Sequence, residues 1–143
     1  MPALEGRYEM KMSSIYGSSE EGIKAIVDKI GKSKIVMINT IPRTLLIRLS
    51  PHLKTRVVKV ILPVDESVDD ELKKIGDIAV SKSRVYKDYK GIEADTGAIY
   101  FADKVYTITW VKDRILEVET MEYERCVKCM KEMFETGWKS SRK

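Results

Sequence analysis

A single histidine limits the catalytic chemistry that this sequence could support. His52 follows Pro51 and begins a His-Leu-Lys tripeptide whose His-x-Lys spacing is used in phosphodiester hydrolysis, but Lys59 stands where that pattern needs Asp or Asn. No Gly-x-Ser-x-Gly turn is present to supply a nucleophile. We therefore interpret His52 as a surface or helix-end residue. The alternative is a phosphodiesterase that brings His52 and Asp103 into an unusual site.

The two cysteines, Cys126 and Cys129, form a C-x-x-C in the middle of the last predicted helix. A zinc site would need two further ligands, and a redox pair of the thioredoxin type would stand at the start of a helix. Structural thiols are therefore favoured, with a metal or redox role left open, and the pair fits a reducing compartment. We predict no metal and no cofactor.

Two further motifs are near misses for phosphate or metal chemistry. Residues 17–24 have the glycine spacing of a phosphate loop, but Ile23 stands where the lysine is required. The acidic cluster at residues 65–71 could hold Mg²⁺, but acids in the first turn of a helix complement its dipole, and we favour that interpretation.

A basic and aromatic segment at residues 82–90 is the strongest indication of an anionic ligand. Interleaved cations and tyrosines can neutralise phosphates and stack on bases, which favours binding to RNA or single-stranded DNA. The competing interpretation is a strand end and loop whose lysines keep a sheet edge soluble. The residues of the nucleic-acid alternative are Lys82, Arg84, Tyr86, Lys87, Tyr89 and Lys90.

Length and charge indicate one ordinary domain. The chain has 143 residues and a net charge of +4, and three of the positive charges belong to Lys139, Arg142 and Lys143. The nearly neutral remainder is unlike the strongly basic face of nucleic-acid-binding domains. No apolar run approaches the ~20 residues of a membrane span, and the N-terminus lacks a secretory signal. We therefore expect a cytoplasmic protein without membrane contact.

The hydrophobic pattern predicts alternating helices and strands in the first half of the chain. Helices are predicted over about residues 18–31, 42–53 and 68–76, and strands over 34–39 and 57–62. Pro51 must end or kink the second helix. The α-β-α-β-α order predicts parallel strands joined by right-handed crossovers.

The second half of the chain changes to strands without intervening helices. A third strand is predicted at residues 79–86, a polar loop at 87–97, and three strands at 99–101, 106–110 and 115–118, with two-residue connections at 103–104 and 112–113. Alternation places Tyr106, Ile108 and Trp110 on one face of the middle strand. A final helix, capped by Thr120, carries an apolar stripe made of Tyr123, Cys126, Val127, Met130, Met133, Phe134 and Trp138.

These elements predict the α/β class. We expect a single domain with a mixed sheet, parallel in its first half and an antiparallel meander in its second, with helices on both faces. Residues 1–17 are assigned to an N-terminal extension, 18–139 to the domain and 140–143 to a basic tail.

The order and spacing of several segments resemble a known family. The segments are Gly17…Gly22-Ile23, Lys34-Ile35-Val36-Met37-Ile38, Ile41-Pro42…Leu45-Leu46…Leu49, Arg56-Val57-Val58-Lys59-Val60-Ile61-Leu62, Gly97-Ala98-Ile99-Tyr100-Phe101-Ala102-Asp103 and Phe134-Glu135-Thr136-Gly137-Trp138. Over about residues 15–139 the chain resembles the phospholipase-D-like domain, in the form used as the sensor half of archaeal TrmB-type transcriptional regulators. The resemblance implies a phospholipase-D-like fold.

Active members of that superfamily carry His-x-Lys-x4-Asp on the strand matched here by residues 97–103. Aligning Asp103 with the aspartate puts Ala98 at the lysine and Thr96 at the histidine. Without the histidine no phosphoryl-enzyme intermediate can form, and without the lysine no cation stabilises the phosphate in the transition state. The resemblance therefore implies a retained fold that has lost its chemistry, and we expect no enzyme.

The resemblance also implies a non-enzymatic regulatory domain that forms a homodimer and binds a small-molecule effector. The regulators bind DNA through a separate helix-turn-helix domain, and about 17 residues precede the first helix here. We therefore expect an excised sensor half or a stand-alone relative that meets DNA only indirectly. The residues expected to line the remnant pocket are Thr96, Ala98, Asp103, Tyr106, Thr107 and Thr109, with Lys82 and Arg84 nearby.

Overall fold

The computed structural model describes residues 13–62, 72, 74–80, 94–112 and 114–141 of the chain. Among these residues no helix is both long and apolar enough to span a bilayer. In chain order the elements are β1 (Ser13–Ile15), α1 (Ser19–Gly31), β2 (Ile35–Asn39), α2 (Arg43–Leu53), β3 (Val57–Leu62), β4 (Asp77–Val80), β5 (Ala94–Tyr100), β6 (Val105–Val111), β7 (Arg114–Met121) and α3 (Glu124–Ser140).

The strands form a mixed sheet in the order β1-β7-β6-β5-β2-β3-β4. β2, β3 and β4 are parallel neighbours, and β5, β6 and β7 form an antiparallel meander. β5 also pairs antiparallel with β2, which joins the two halves of the sheet. The predicted α/β class, with a parallel first half and an antiparallel second half, is confirmed.

Helices cover both faces of the sheet, as predicted. The apolar sides of α1 and α2, including Ile26 and Leu46, pack with the strands into a large core that contains Trp110. On the opposite face, α3 packs Val127 and Phe134 against side chains of β2, β3, β5 and β6. The central strands are therefore buried on both sides, which is why their sequences are continuously apolar.

Local sequence signals account for the ends and the irregularity of the first two helices. The Glu21 amide donates a hydrogen bond to Ser18 Oγ (3.2 Å), which is the cap expected for α1. Pro51, predicted to end or kink the second helix, lies inside α2. Because Pro51 has no amide hydrogen, the Ile47 carbonyl loses its usual helical donor, and the Ser50 hydroxyl donates to it instead (2.7 Å).

The second half of the sheet differs from the prediction in its strand ends. β5 begins at Ala94, inside the predicted polar loop, and is joined to β6 by residues 101–104 rather than by two residues. β7 extends to Met121, so Thr120 is buried in the sheet and hydrogen-bonds Ser14 (2.8 Å) instead of capping α3, which begins at Glu124. Pairing with neighbouring strands lengthens these elements, and that pairing is not visible in the local sequence.

The chain also differs from the prediction near both of its ends. Residues 13–15, assigned to an N-terminal extension, form β1, in which Ile15 pairs with Glu119 of β7. Met133, placed in the apolar stripe of the last helix, is 68% exposed, whereas Val127 and Phe134 are buried. The apolar stripe that helical spacing predicts is wider than the surface of α3 that contacts the sheet, so Met133 at the edge of the stripe faces solvent.

Part of the predicted middle of the chain lies outside the described residues. This applies to most of the predicted third helix, although Leu72 and Ile75 are buried in the core. It also applies to the third strand beyond Val80, where β4 ends, and to the predicted loop up to residue 93.

The turn after β2 is held by contacts from three other strands. Thr40 is buried and has a φ of +53°, an unfavourable conformation for a β-branched residue. Its amide donates to the Ile61 carbonyl of β3 (2.9 Å), and its own carbonyl accepts the indole N–H of Trp110 of β6 (3.0 Å). Gly97 of β5 packs so closely on the same carbonyl that a Cβ atom there would overlap it. These contacts hold a strained turn in place.

Replacing Gly97 by alanine is expected to lower the free energy of unfolding by about 1–3 kcal/mol, because the new methyl group overlaps backbone atoms of Thr40. Gly31→Ala is the matched control, since nothing lies within 4 Å of a Cβ atom added there. Urea denaturation of both variants measures the difference. Equal stability of the two variants would contradict the close approach of β5 to the turn.

Candidate functional site

Four of the predicted site residues share one face of β5 and β6. Thr96 pairs with Thr109, and Ala98 pairs with Thr107, across these antiparallel strands. Cross-strand partners point to the same side of a sheet, so the four side chains form one block on the face that α3 covers. The alternation predicted for the middle strand of the meander is confirmed.

α3 covers one corner of this block. Ala98 is 6% exposed and belongs to the apolar cluster that includes Met37 and Phe134 beneath α3. Thr96, which lies further along β5 on the same face, is exposed. The two positions matched to the catalytic histidine and lysine therefore differ in their surroundings, since one faces solvent and the other is covered by the helix.

The open part of the block offers hydroxyl and carboxylate groups. We call Thr96, Thr107 and Thr109 the threonine patch. Glu119 and Glu117 of β7 are the cross-strand partners of Thr107 and Thr109, and Thr107 Oγ1 donates to the Glu119 carbonyl (3.5 Å). These side chains can form hydrogen bonds, but none of them supplies a cation for a phosphate group.

Tyr106 lies on the opposite face of the sheet from the threonine patch. It is 2% exposed in the main core, stacks on Tyr16 with ring centres 6.3 Å apart and meets Phe101 edge-on. Burial, reinforced by Tyr16, raises the pKa of its phenol. Tyr106 is a core residue separated by the sheet from the threonine patch, and of the predicted site residues Asp103 is near enough for its charge to add to the rise in the pKa of Tyr106.

Asp103 lies in the connection between β5 and β6, at the end of β5 away from Thr96. Its carboxylate is 67% exposed and forms an ion pair with Lys29 Nζ at 2.7 Å. The hydrogen bond from Lys29 holds the pKa of Asp103 below its ordinary value of 3.8. Thr96 and Asp103 therefore lie toward opposite ends of β5, whereas Thr107 is the third residue of β6 after the connection.

The remaining candidate residues are scattered or lie outside the described part of the chain. His52 is exposed near the end of α2. Cys126 is half-buried and Cys129 exposed on α3. Within the described ranges, no three His, Cys, Asp or Glu side chains are arranged to hold a metal ion. The candidates outside the described residues are Lys82, Arg84, Tyr86, Lys87, Tyr89 and Lys90.

A groove beside α3, which we call the α3 groove, was missed by the sequence analysis. Its volume is about 870 Å³. Lysines and glutamates four residues apart on a helix ordinarily indicate a solvated surface, so the sequence pattern did not point to a cavity. The lining includes Met37, Asp103, Val127, Lys131, Glu135 and Lys139.

A smaller cavity adjoins the α3 groove at the edge of the sheet where β2 begins and β5 ends. Its volume is about 310 Å³, and it shares Met37, Asp103 and Lys131 with the groove. The sequence of residues 29–34 carries three lysines but was interpreted as a helix end followed by a strand. We call this cavity the basic recess, after its cations Lys29, Lys32, Lys34 and Lys131.

Asp103→Asn is expected to lower the free energy of unfolding at neutral pH by less than about 1 kcal/mol, because the ion pair with Lys29 is largely exposed. The pKa of Asp103 is depressed in the folded protein, so this stabilisation exists above pH 3.8 and is lost as the pH falls through the folded-state pKa. Urea titrations at neutral and acidic pH measure the difference. Glu117→Gln, which changes an exposed carboxylate on β7, is the control. If Asp103→Asn lowered the free energy of unfolding at acidic pH but not at neutral pH, the ion pair between Asp103 and Lys29 would be contradicted.

No protein-family model and no curated protein sequence matches the chain. Among solved structures, NucT from Helicobacter pylori matches with a TM-score of 0.67 at 10% identity, over 91% of this chain and 97% of that one. Nuc from Salmonella typhimurium, a phospholipase D family member, matches with a TM-score of 0.61 at 12% identity, over 91% and 97% of the two chains.

A third solved structure is that of TrmBL2, an archaeal chromatin protein described as showing a novel mode of DNA binding. It matches with a TM-score of 0.61 at 9% identity, over 96% of this chain. The chain spans about half of TrmBL2, covering 55% of its length. At identities this low the similarity establishes the fold and not the activity. The chain has the phospholipase-D-like fold that its resemblance to that family implies.

Proposed function

We propose that the chain is a non-enzymatic regulatory domain that binds a small effector and forms a homodimer. The observation that carries the proposal is the burial of Ala98, the residue matched to the catalytic lysine of the superfamily. Ala98 is 6% exposed and packs with apolar residues beneath α3. An ammonium group at that position would be removed from water without a partner, which is unfavourable.

The neighbouring groups also support a non-catalytic role. A phosphoryl-histidine mechanism needs an imidazole as nucleophile, and the matched position is Thr96. Asp103, the part of the motif that is retained, is held in an ion pair with Lys29 at a hairpin connection. The ion pair with Lys29 is a structural role that explains the presence of Asp103 without catalysis.

The α3 groove supports effector binding. Its volume of about 870 Å³ is in the range of small-molecule sites. Met37 and Val127 are buried apolar side chains in its lining, while Lys131, Glu135 and Lys139 line it from α3. An effector with an apolar body and charged or polar ends suits this arrangement.

The threonine patch supports pairing of two copies. α3 leaves this part of the sheet open, and Ile15 of β1, which shares the face, is 62% exposed. Exposed apolar groups surrounded by hydroxyls are typical of interfaces between subunits. We therefore propose that two chains pack these sheet faces against each other.

Any contact with DNA is proposed to be indirect, through a helix-turn-helix domain outside these residues. The DNA-binding protein TrmBL2 supports this view, because this chain covers only 55% of its length. We also propose a cytoplasmic location, since Cys126 and Cys129 are free thiols.

Ala98→Lys is expected to lower the free energy of unfolding by about 3–5 kcal/mol, because it buries an unpaired charge. Thr96→Lys is the matched control and is expected to change stability little, since Thr96 is exposed. Urea denaturation of both variants measures the difference. Equal effects would contradict the covering of the motif position by α3.

The wild-type chain is expected to leave a chromogenic phosphodiester unhydrolysed, because no imidazole stands at the motif position. Turnover that disappears in His52→Ala would contradict the proposal and favour the phosphodiesterase alternative. The assay is run on the purified chain with a buffer blank.

Sedimentation is expected to show a dimer at micromolar concentration, and Thr109→Lys is expected to weaken the dimer by at least about tenfold by placing like charges across the interface. Thr136→Lys, on the exposed side of α3, is the control that adds the same charge elsewhere. A wild-type monomer, or equal weakening by both variants, would contradict pairing through the threonine patch.

A further inference from the structure

The basic recess concentrates positive charge in one small cavity. Among the residues that the structure describes, four lysines line it, and Asp103 is the one carboxylate of that lining. Asp103 is already engaged by Lys29 at 2.7 Å. Within the described ranges, no carboxylate lies within 4 Å of the ammonium groups of the other three, which are Lys32, Lys34 and Lys131. The recess therefore carries an excess of positive charge.

Helix capping does not account for this charge. Cations near the C-terminal end of a helix complement its dipole, and Lys29 and Lys32 lie at the end of α1. The last carbonyls of α1, however, already accept hydrogen bonds from Arg56, whose guanidinium donates to the carbonyl oxygens of Ile30 (3.0 Å) and Gly31 (3.3 Å). The lysines are therefore not needed to satisfy these carbonyls.

Two of the four lysines lie outside the last turn of α1 and its cap. Lys34 directly precedes β2, and Lys131 lies in the middle of α3. They line one cavity because α3 packs on the face of the sheet that includes β2, as the membership of Phe134 and Met37 in one apolar cluster shows. Like charges held close together repel each other, and a bound anion would remove that repulsion.

The walls and the size of the recess indicate the ligand. Tyr100 and Phe101 are buried, so the lining beneath the lysines is apolar and strengthens charge interactions. A volume of about 310 Å³ accommodates a small molecule. Lysines act as point charges suited to phosphate, whereas the planar pairing of carboxylates is typical of arginine, which does not occur among the described lining residues.

We propose that the basic recess binds the phosphoryl group of a small phosphorylated ligand, with Lys34 and Lys131 as the main contacts. The recess lies at the opposite end of β5 from Thr96 and is therefore distinct from the position matched to the catalytic histidine. The proposal goes beyond the regulatory role and does not depend on it.

Calorimetric titration with inorganic tripolyphosphate tests this proposal. The wild-type chain is expected to bind it with an affinity that falls as salt is added. Combining Lys34→Gln with Lys131→Gln is expected to weaken binding by at least about tenfold, since two charge-assisted contacts are lost. The matched control combines Lys24→Gln with Lys112→Gln, which removes the same charge from exposed positions outside the recess.

Failure of the wild-type chain to bind tripolyphosphate overturns the proposal, and so does an equal loss of affinity in the two double variants. A titration with a short DNA duplex distinguishes a site for a small phosphorylated ligand from a site for the backbone of a nucleic acid. If duplex DNA alone binds, and the recess variant weakens it, the small-ligand proposal is wrong. Circular dichroism confirms that both double variants are folded before titration.

Discussion

The arrangement of the sheet depends on the contacts that the carbonyl oxygen of Thr40 makes. It accepts the indole N–H of Trp110 from β6 and packs against Gly97 of β5, while the Thr40 amide donates to Ile61 of β3. A buried carbonyl without a donor is costly, and a β-branched residue at positive φ is strained. The parallel and antiparallel halves of the sheet are therefore held in one relative position at this turn.

That position determines which residues of β5 are accessible. With β5 held beside β2, Ala98 falls beneath α3 and Thr96 extends past it, although the two lie on the same face of one strand. One of the two motif positions is thus covered while the other faces solvent. The regulatory proposal depends on this difference in burial rather than on the missing side chains alone.

The two ends of β5 lie among side chains of different charge. Near Thr96 the face carries hydroxyls and carboxylates, which suit contact with another protein surface. Beyond Tyr100 the basic recess and the α3 groove adjoin each other, so that lysines from α1, from the segment between α1 and β2, and from α3 surround a partly apolar cavity. β5 therefore contributes Thr96 to the threonine patch near one end and Tyr100 to the basic recess at the other.

The sequence by itself determined the α/β class, the helix cap at Ser18, the parallel and antiparallel halves and the alternation in β6, because these follow from periodicity and capping over a few neighbouring residues. It did not show the length of β5, the edge strand at Ser13–Ile15 or the exposure of Met133, since each depends on partners distant in the chain. Tertiary packing decided that Tyr106 lies in the main core while Thr107 faces the other side of the sheet, and that Lys34 and Lys131 line the same cavity. Sheet faces and cavities are formed by segments far apart in sequence, and no local pattern records which segments will meet.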